Sequence, residues 1–452
     1  MNKPVLMNSV MGILAAVIAT HGVSAEAPVA ATPVLATPEQ LAAEKTLLKL
    51  LVDPDVRAAE AGIVKEFRTT AAAQTPEGSA RLASAVEQWT TSLILREIAA
   101  DPVHPAILWT TDDTPHRWFG YSVPGIGIAG DNPDHIYRSS FVDGGGQYEI
   151  RGQIDPAHRP AQFSVEVTRG QPGKLTLARQ TRDHPDMGNQ IAMLTDQNIK
   201  VDADGTFTIA VGGAPKNANY VPLAEGSIAL NFRDVLSDWR QKPIALTLRR
   251  LDPATPAPRP DSELRQKVIE DLPGYVRFWA GFKDTWLGGI QPNKLVGPVP
   301  RDGNWGFLAG GRYDLGPDEV IVLTTTHGVA RYTGVQVTDP WMIAADATKY
   351  QTSINTSQAT PNANGSFTYV IGPKDPGVAN WIDTAGFHHG YLLARWQGFP
   401  AGASGDGLLK EYRVAKFADV ANGRLAGVAK AAASERRKQL SLRASGYANR
   451  TR

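Results

Sequence analysis

Cysteine is absent from all 452 residues of the chain. Thiol nucleophiles, iron–sulfur ligation, cysteine zinc sites and disulfide staples are therefore excluded. Net charge is nearly absent too, since 46 Lys and Arg stand against 45 Asp and Glu. No general electrostatic pull toward nucleic acid is expected from such a balance, so no nucleic-acid partner is. Long apolar runs are missing: Val10–Ala19 falls short of the roughly 18 residues that a membrane-crossing helix needs, and no later segment approaches that length. G-x-S-x-G elbows, P-loops and H-E-x-x-H helices are lacking, which removes the most direct hydrolase, nucleotide and metalloprotease readings.

What is present begins with a secretory pattern. Lys3 supplies a positive start, Val10–Ala19 an apolar stretch, and Val23-Ser24-Ala25 a small-residue cleavage site after Ala25. Export to the periplasm is the expectation, with no membrane span in the mature chain. An Ala/Pro/Thr linker occupies 26–37. Next, 38–108 reads as helical, with two helices opened by Thr37-Pro38 and Thr75-Pro76, the first running to about Phe67. From 109 to 251, short alternating segments separated by Gly, Asp, Asn and Pro indicate strands. A Pro-rich hinge and a helix over Asp261–Trp286 fill 252–290, and strand signals return over 291–412. The remainder, 413–452, reads as a closing helix from about Val414 with a basic tail: Arg424–Arg452 holds eight Lys or Arg and a single acid, Glu435. A solvated helix end accounts for that bias, and a surface contact with membrane or nucleic acid is the sharper alternative.

The β-rich part is written twice. Asp202-Ala-Asp-Gly-Thr-Phe-Thr208, Asn219-Tyr220 and Gly226–Phe232 recur as Asn362-Ala-Asn-Gly-Ser-Phe-Thr368, Asn380-Trp381 and Gly390–Trp396. His158–Thr168 likewise recurs as His327–Thr338. Two repeated antiparallel β-sandwiches of jelly-roll type, with flanking helices, are the expected α+β architecture. Positions alike in both copies point to scaffold, and differences point to added function. By this test the paired His158 and His327 are scaffold.

Two segments, Asp131-Asn-Pro-Asp-His-Ile-Tyr-Arg138 and Asp375-Pro-Gly-Val-Ala-Asn-Trp-Ile-Asp-Thr-Ala-Gly386 with Arg395-Trp396 after it, resemble the bacterial family catalogued as domain of unknown function 1214. The resemblance spans about 110–400. It implies a β-sandwich architecture and no agreed reaction.

Gly125-Ile-Gly-Ile-Ala-Gly130 matches a dinucleotide fingerprint in letters only, because Asp131-Asn132-Pro133 follows where a helix should begin. The main candidate site lies elsewhere, in the loop between Trp381 and Gly390, which is longer than its first-copy counterpart and adds Asp383, His388 and His389. Histidine with carboxylate is the combination that acid–base chemistry needs near neutral pH. In the strand that follows, Leu392, Ala394 and Trp396 align with the first-copy core residues Ile228, Leu230 and Phe232, so His389, Tyr391 and Arg395 share the opposite face. Adjacent His388 and His389 point apart, so no metal is assigned, and no cofactor is. An Asx-turn at Asp383 with solvated imidazoles is the structural alternative. Arg138 is a candidate anion clamp, or else half of an Arg–Asp pair fixing a turn. Trp381 and the tryptophans after residue 275 suit either a pocket wall or the core.

Two readings follow. In the first, the chain is an exported hydrolase or lyase acting on a carbohydrate or hydrophobic organic substrate, with His389, Asp383 and His388 catalytic and Arg395, Arg138, Tyr391 and Trp381 binding substrate. In the second it is a non-catalytic periplasmic protein holding a small molecule or glycan. Nothing in the sequence fixes an oligomeric state.

Overall fold

Three prolines start three helices. Pro38, Pro54 and Pro76 each occupy the first turn of α1 (Pro38–Leu50), α2 (Pro54–Phe67) and α3 (Pro76–Ala99), where a missing N–H costs nothing, and Thr37, Asp53 and Thr75 accept the orphan amide hydrogens. The expected single run to Phe67 is thus two helices, broken at Asp53-Pro54 because proline ends the helix before it. The computed structural model describes residues 1, 32–174, 189–215, 218–253, 259–301, 303 and 305–452. The expected signal segment, linker residues 26–31 and hinge residues 254–258 lie outside the described residues. Residues 33–452 form one unit.

The first repeat comprises β1 (Leu108–Thr111), a small hairpin of β2 (His116–Trp118) and β3 (Tyr121–Val123), then β4 (His135–Asp143), β5 (Tyr148–Gln153), β6 (Gln162–Arg169), β7 (Gln190–Thr195), β8 (Thr206–Val211), β9 (Tyr220–Val221), β10 (Ser227–Val235) and β11 (Ala245–Arg250). Helix α4 (Asp261–Trp286) follows. The second repeat comprises β12 (Lys294–Pro300), β13 (Gly306–Asp314), β14 (Glu319–Thr325), β15 (Tyr332–Thr338), β16 (Ser353–Asn355), β17 (Phe367–Gly372), β18 (Trp381–Asp383), β19 (His389–Gln397) and β20 (Leu409–Lys416). Each repeat is a sandwich of a five-stranded and a four-stranded sheet. The orders are β1-β4-β10-β6-β7 with β11-β5-β8-β9, and β12-β13-β19-β15-β16 with β20-β14-β17-β18. Strand for strand, the two topologies are the same. Pairing is antiparallel throughout both sandwiches except for β8–β9 and β17–β18, which are parallel in both copies.

Equivalence extends to side chains. Asn219 donates to the carbonyls of Lys200 and Thr208 and accepts from the Lys200 amide, while Asn380 makes the same set with Thr360 and Thr368. One correction follows from the pairing. β10 runs against β4 from Ser227↔Asp143 to Val235↔His135, and β19 runs against β13 from His389↔Asp314 to Gln397↔Gly306. Matched by register, Ser227 corresponds to His389, Ala229 to Tyr391, Asn231 to Leu393 and Arg233 to Arg395. The letter alignment is two residues out. Its assignment of faces survives because strand side chains alternate with period two. Its long loop does not survive, since Tyr220 to Ser227 is seven steps and Trp381 to His389 eight, leaving a difference of one residue.

Each sandwich buries its own core, around Ile150, Leu230 and Phe232 in the first and Tyr369, Leu392 and Trp396 in the second. A third core lies outside both, where α1–α4 cover the outer faces of the five-stranded sheets and bury Phe141, Leu308, Tyr391 and Leu393. The chain does not close with a helix from Val414. Leu409–Lys416 pairs instead with β14 as an edge strand, and α5 (Phe417–Ala421) and α6 (Ala433–Tyr447) come after it. Pairing along β14 overrides the helical pattern there.

The basic tail is neither solvated throughout nor a free surface. On α6 and just beyond it, Arg436, Arg443 and Arg450 recur every seventh residue and are 6%, 4% and 4% exposed. Arg436 holds Asp375 and the Val378 carbonyl, Arg443 the carbonyls of Ala347 and Ser353, and Arg450 Asp112 and the Pro133 carbonyl. A seven-residue spacing returns to one helix face, so the three guanidinium groups strap the tail across both repeats.

Candidate functional site

The residues singled out in the sequence are spread across the molecule. His389 lies between two carboxylates, with Nδ1 3.2 Å from Glu77 and Nε2 3.2 Å from Asp314. Glu77 also accepts the amides of His388 and His389, and the His388 Nδ1 sits 2.8 Å from the Leu315 carbonyl. The histidine pair therefore docks the loop onto the first turn of α3. Asp383 accepts the Ala385 amide at 2.8 Å, an Asx-turn that supports Ala385 at a φ of 55°. Burial pushes its carboxyl up to about 6. Arg395 is six strand residues from His389, roughly 20 Å at the usual rise per residue. It donates to Gln336 and to the Gly130 carbonyl, tying the second repeat to the first, and burial lowers its pKa. Arg138 donates to Asp234 at 2.7 Å and to the Ile244 carbonyl at 2.8 Å, the Arg–Asp pair of the alternative reading. Tyr391 is in the helix-covered core with its hydroxyl pKa raised by burial, and Trp381 donates to the Gly372 carbonyl beneath Arg436. No hydrogen bond or ion pair joins any two of these seven residues.

The Asp131–Arg138 segment forms the joint between the repeats. Asp134 accepts from Trp239 at 2.8 Å, from Asn355 at 2.9 Å and from Tyr332 at 2.9 Å. Two of those donors belong to the second repeat. His135 is buried and bonded to the Tyr137 hydroxyl at 2.9 Å, and its pKa is held well below the usual value by burial and then by the charges of Arg233, Arg395 and Arg450. Close by, Asp113 and Asp131 form a buried carboxyl pair, both raised by desolvation, Asp113 also by its neighbour's charge. The glycines of Gly125–Gly130 serve packing: a Cβ on Gly125 or Gly127 would lie 2.7 or 2.9 Å from the Gln88 side chain of α3.

One cavity of the first repeat is a place the sequence reading passed over. A cavity of 120 Å³ separates the outer face of the first five-stranded sheet from α3 and α4. Strand register sets its floor: Ser139, Asn231 and Glu166 form one row across β4, β10 and β6, and Tyr137, Arg233 and Ser164 the next. Thr110 donates to Ser139, Ser139 to Asn231 and Asn231 to Thr168, a polar chain that fixes the Asn231 amide. Arg233 lies over the rings of Tyr137 and Trp305, at 5.2 and 4.5 Å from their centroids. Such stacking holds a guanidinium in place while leaving its N–H edge free to donate. Arg96 of α3 and Trp279 of α4 close the roof; they are 7% and 4% exposed. The Nε of Arg96, the Nε of Arg233 and the indole Nε1 of Trp279 meet no acceptor among the described residues.

In the second copy the same face is filled. Leu393 stands where the first copy has Asn231, Leu308 where it has Tyr137 and Gly310 where it has Ser139. Trp286, seven residues beyond Trp279 on α4, packs so closely over Gly310 that a Cβ there would lie 2.7 Å from its ring. Arg233 is thus the counterpart of Arg395, the residue chosen from the sequence. The shared Leu-x-x-Arg of Leu230–Arg233 and Leu392–Arg395 is the signal that would have found it.

Residues 330–398 match the family described as Protein of unknown function (DUF1214). That stretch takes in Tyr332, Gln336, Asp383, His389 and Arg395 and leaves out the cavity of the first repeat. Among solved structures, an uncharacterized protein from Burkholderia cenocepacia is 22% identical, with a TM-score of 0.65 over 84% of this chain and 99% of that one. The likeness shows a shared fold. A Vibrio parahaemolyticus protein is 12% identical over 63% of this chain and 89% of its own, at a TM-score of 0.35. No curated protein matches the chain. Among the described residues no helix is long and apolar enough to cross a membrane, and no three His, Asp or Glu side chains converge to hold a metal ion.

Proposed function

We propose that the chain is an exported, periplasmic ligand-binding protein that holds a small molecule in the cavity between the first five-stranded sheet and α4. One observation carries the reading: of two structurally equivalent sheet faces, one is covered by Leu393, Leu308 and Trp286 and the other keeps a cavity over the polar row of Ser139, Asn231 and Glu166. The catalytic reading centred on His389 needs Asp383 or Arg395 within hydrogen-bond reach, and His389 has Glu77 and Asp314 as its partners instead. A glycan does not suit a space of 120 Å³, well below the roughly 300–1,000 Å³ of sites that take drug-sized ligands. Export rests on the Lys3, Val10–Ala19 and Val23–Ala25 pattern.

Asn231→Leu tests the reading, because it installs the second copy's residue in the first and fills the cavity. In a thermal-shift screen of small metabolite-like compounds, a ligand that raises the melting temperature of the native protein should leave the variant unmoved. Compounds that stabilise both equally would place the ligand elsewhere.

A further inference from the structure

Resting on that reading, we infer that the ligand is a short-chain organic carboxylate, its acid group received by Arg96, Arg233 and Trp279 and its carbon chain by Ile128 and Phe278. The buried lining atoms left without a partner are the Nε of Arg96, of Arg138 and of Arg233, the Nε1 of Trp279 and the Thr111 hydroxyl, four N–H donors and one O–H. Arginine and tryptophan side chains have donors and no acceptor. Of the lining groups that could also accept, Ser139, Asn231 and Thr168 are engaged with one another and Glu166 with a partner of its own, while the Thr111 hydroxyl is unpartnered. What completes the site must therefore accept several hydrogen bonds at once and bring negative charge to two guanidinium groups. A carboxylate does both.

Size and lining narrow the class. A volume of 120 Å³ matches about four waters at roughly 30 Å³ each, hence a ligand of roughly four to six non-hydrogen atoms at interior packing density. Ile128, Ala229 and Phe278 give the cavity an apolar side. Inorganic phosphate or sulfate would leave that side against charged oxygen, whereas a two- to three-carbon chain covers it. The Arg233 guanidinium is held between Tyr137 and Trp305 before any ligand arrives, so little side-chain order is lost on binding.

The test compares propionate, its neutral isostere propionamide and inorganic phosphate by calorimetric titration of the mature protein at fixed ionic strength, with folding of each variant checked by circular dichroism. Propionate should bind, and propionamide should bind at least tenfold more weakly. Arg233→Gln and Arg96→Gln should each weaken propionate roughly ten- to a hundredfold, the usual loss for a hydrogen bond to a charged group, and either variant suffices if the other does not fold. Asn231→Leu should abolish binding. Propionamide binding as tightly as propionate, or propionate binding unchanged in a folded arginine variant, overturns the carboxylate assignment and leaves the cavity as a ligand site. Phosphate binding more tightly than propionate overturns it too. Propionate binding undiminished by Asn231→Leu overturns the cavity itself, and with it the reading under it.

Discussion

Arg443→Ala should destabilise the protein by about 4 kcal/mol, although it sits far from either candidate site. Arg443 is 4% exposed and donates from Nε to Ala347 at 2.7 Å, from Nη1 to Ser353 at 2.8 Å and from Nη2 to the Ser353 hydroxyl at 2.8 Å. Hydrogen bonds from a charged donor contribute about 1.5–3 kcal/mol each, so these three short ones give about 4.5–9 kcal/mol, and a longer fourth, from Nη1 to Gln358 at 3.3 Å, adds little. Against that stands burial of the guanidinium, which brings its pKa down from 12.5 to about 10 and so costs about 3 kcal/mol. The difference is about 2–6 kcal/mol. Lost packing against Trp239, whose ring lies 4.5 Å away, argues for the middle of that range or above. The assay is urea denaturation, read as a fall in midpoint at unchanged slope. The control is Arg437→Ala, which removes the same charge from the neighbouring exposed position and should change stability by less than about 0.5 kcal/mol. A loss under about 1 kcal/mol for Arg443→Ala, or equal losses for the two variants, would show that the tail is attached by charge in general and refute the strap.

Other outcomes follow from the same geometry. Asp383→Asn keeps an oxygen for the Ala385 amide and removes a carboxyl whose pKa is raised to about 6 in the fold. The fold holds its proton more tightly than the unfolded chain does, so native stability falls as pH rises from about 4 to about 6; the variant should be more stable at pH 8 by up to about 3 kcal/mol and equal near pH 3.5, read as melting temperature against pH. The Asp113–Asp131 pair has the same sign, both carboxyls being raised by burial, and Asp131→Asn should flatten the decline in stability as pH rises toward and through neutrality; a curve parallel to that of the native protein would mean the pair shares no proton. Tyr332→Phe removes the hydroxyl that donates to Asp134 and accepts from Asn132 at the joint between repeats, and should cost about 1–3 kcal/mol in chemical denaturation. His389→Ala cuts a half-exposed tie to Glu77 and Asp314; it should cost no more than about 1 kcal/mol and leave ligand binding at the cavity intact.

Local chemistry made much of the fold legible. The strands Thr206–Val211, Glu319–Thr325 and Tyr332–Thr338 and the helix Asp261–Trp286 are bounded by the turn residues and start signals that announce them. Only pairing could supply the rest. Leu409–Lys416 becomes a strand because β14 offers it an edge, and nothing local outweighs that. The site was misplaced by the same gap. Gly226 and Gly390 align by letter, whereas the hydrogen-bond registers of β10 and β19 align Ser227 with His389, and that two-residue slip turned a one-residue loop difference into an apparent insertion. It also hid the equivalence of Arg233 and Arg395. The Arg436, Arg443 and Arg450 spacing was visible, but its meaning depends on carbonyls up to hundreds of residues away.

The duplicated architecture separates what the fold requires from what it merely allows. With the same strand order and the same helix overhead, the second copy covers its sheet with Leu393, Leu308 and Trp286, so a polar floor is no condition for building this sandwich. In the first copy that face carries Asn231, Ser139 and Arg233 beneath Trp279, with N–H groups of Arg96, Arg233 and Trp279 and the Thr111 hydroxyl buried without partners. Each such group costs about 1–3 kcal/mol unless water or a ligand meets it, and an apolar filling of known fit is present in the same chain. Stability favours the packed version. The open one therefore needs a cause outside folding, and the proposed anion, facing Arg96 and Arg233, would supply it.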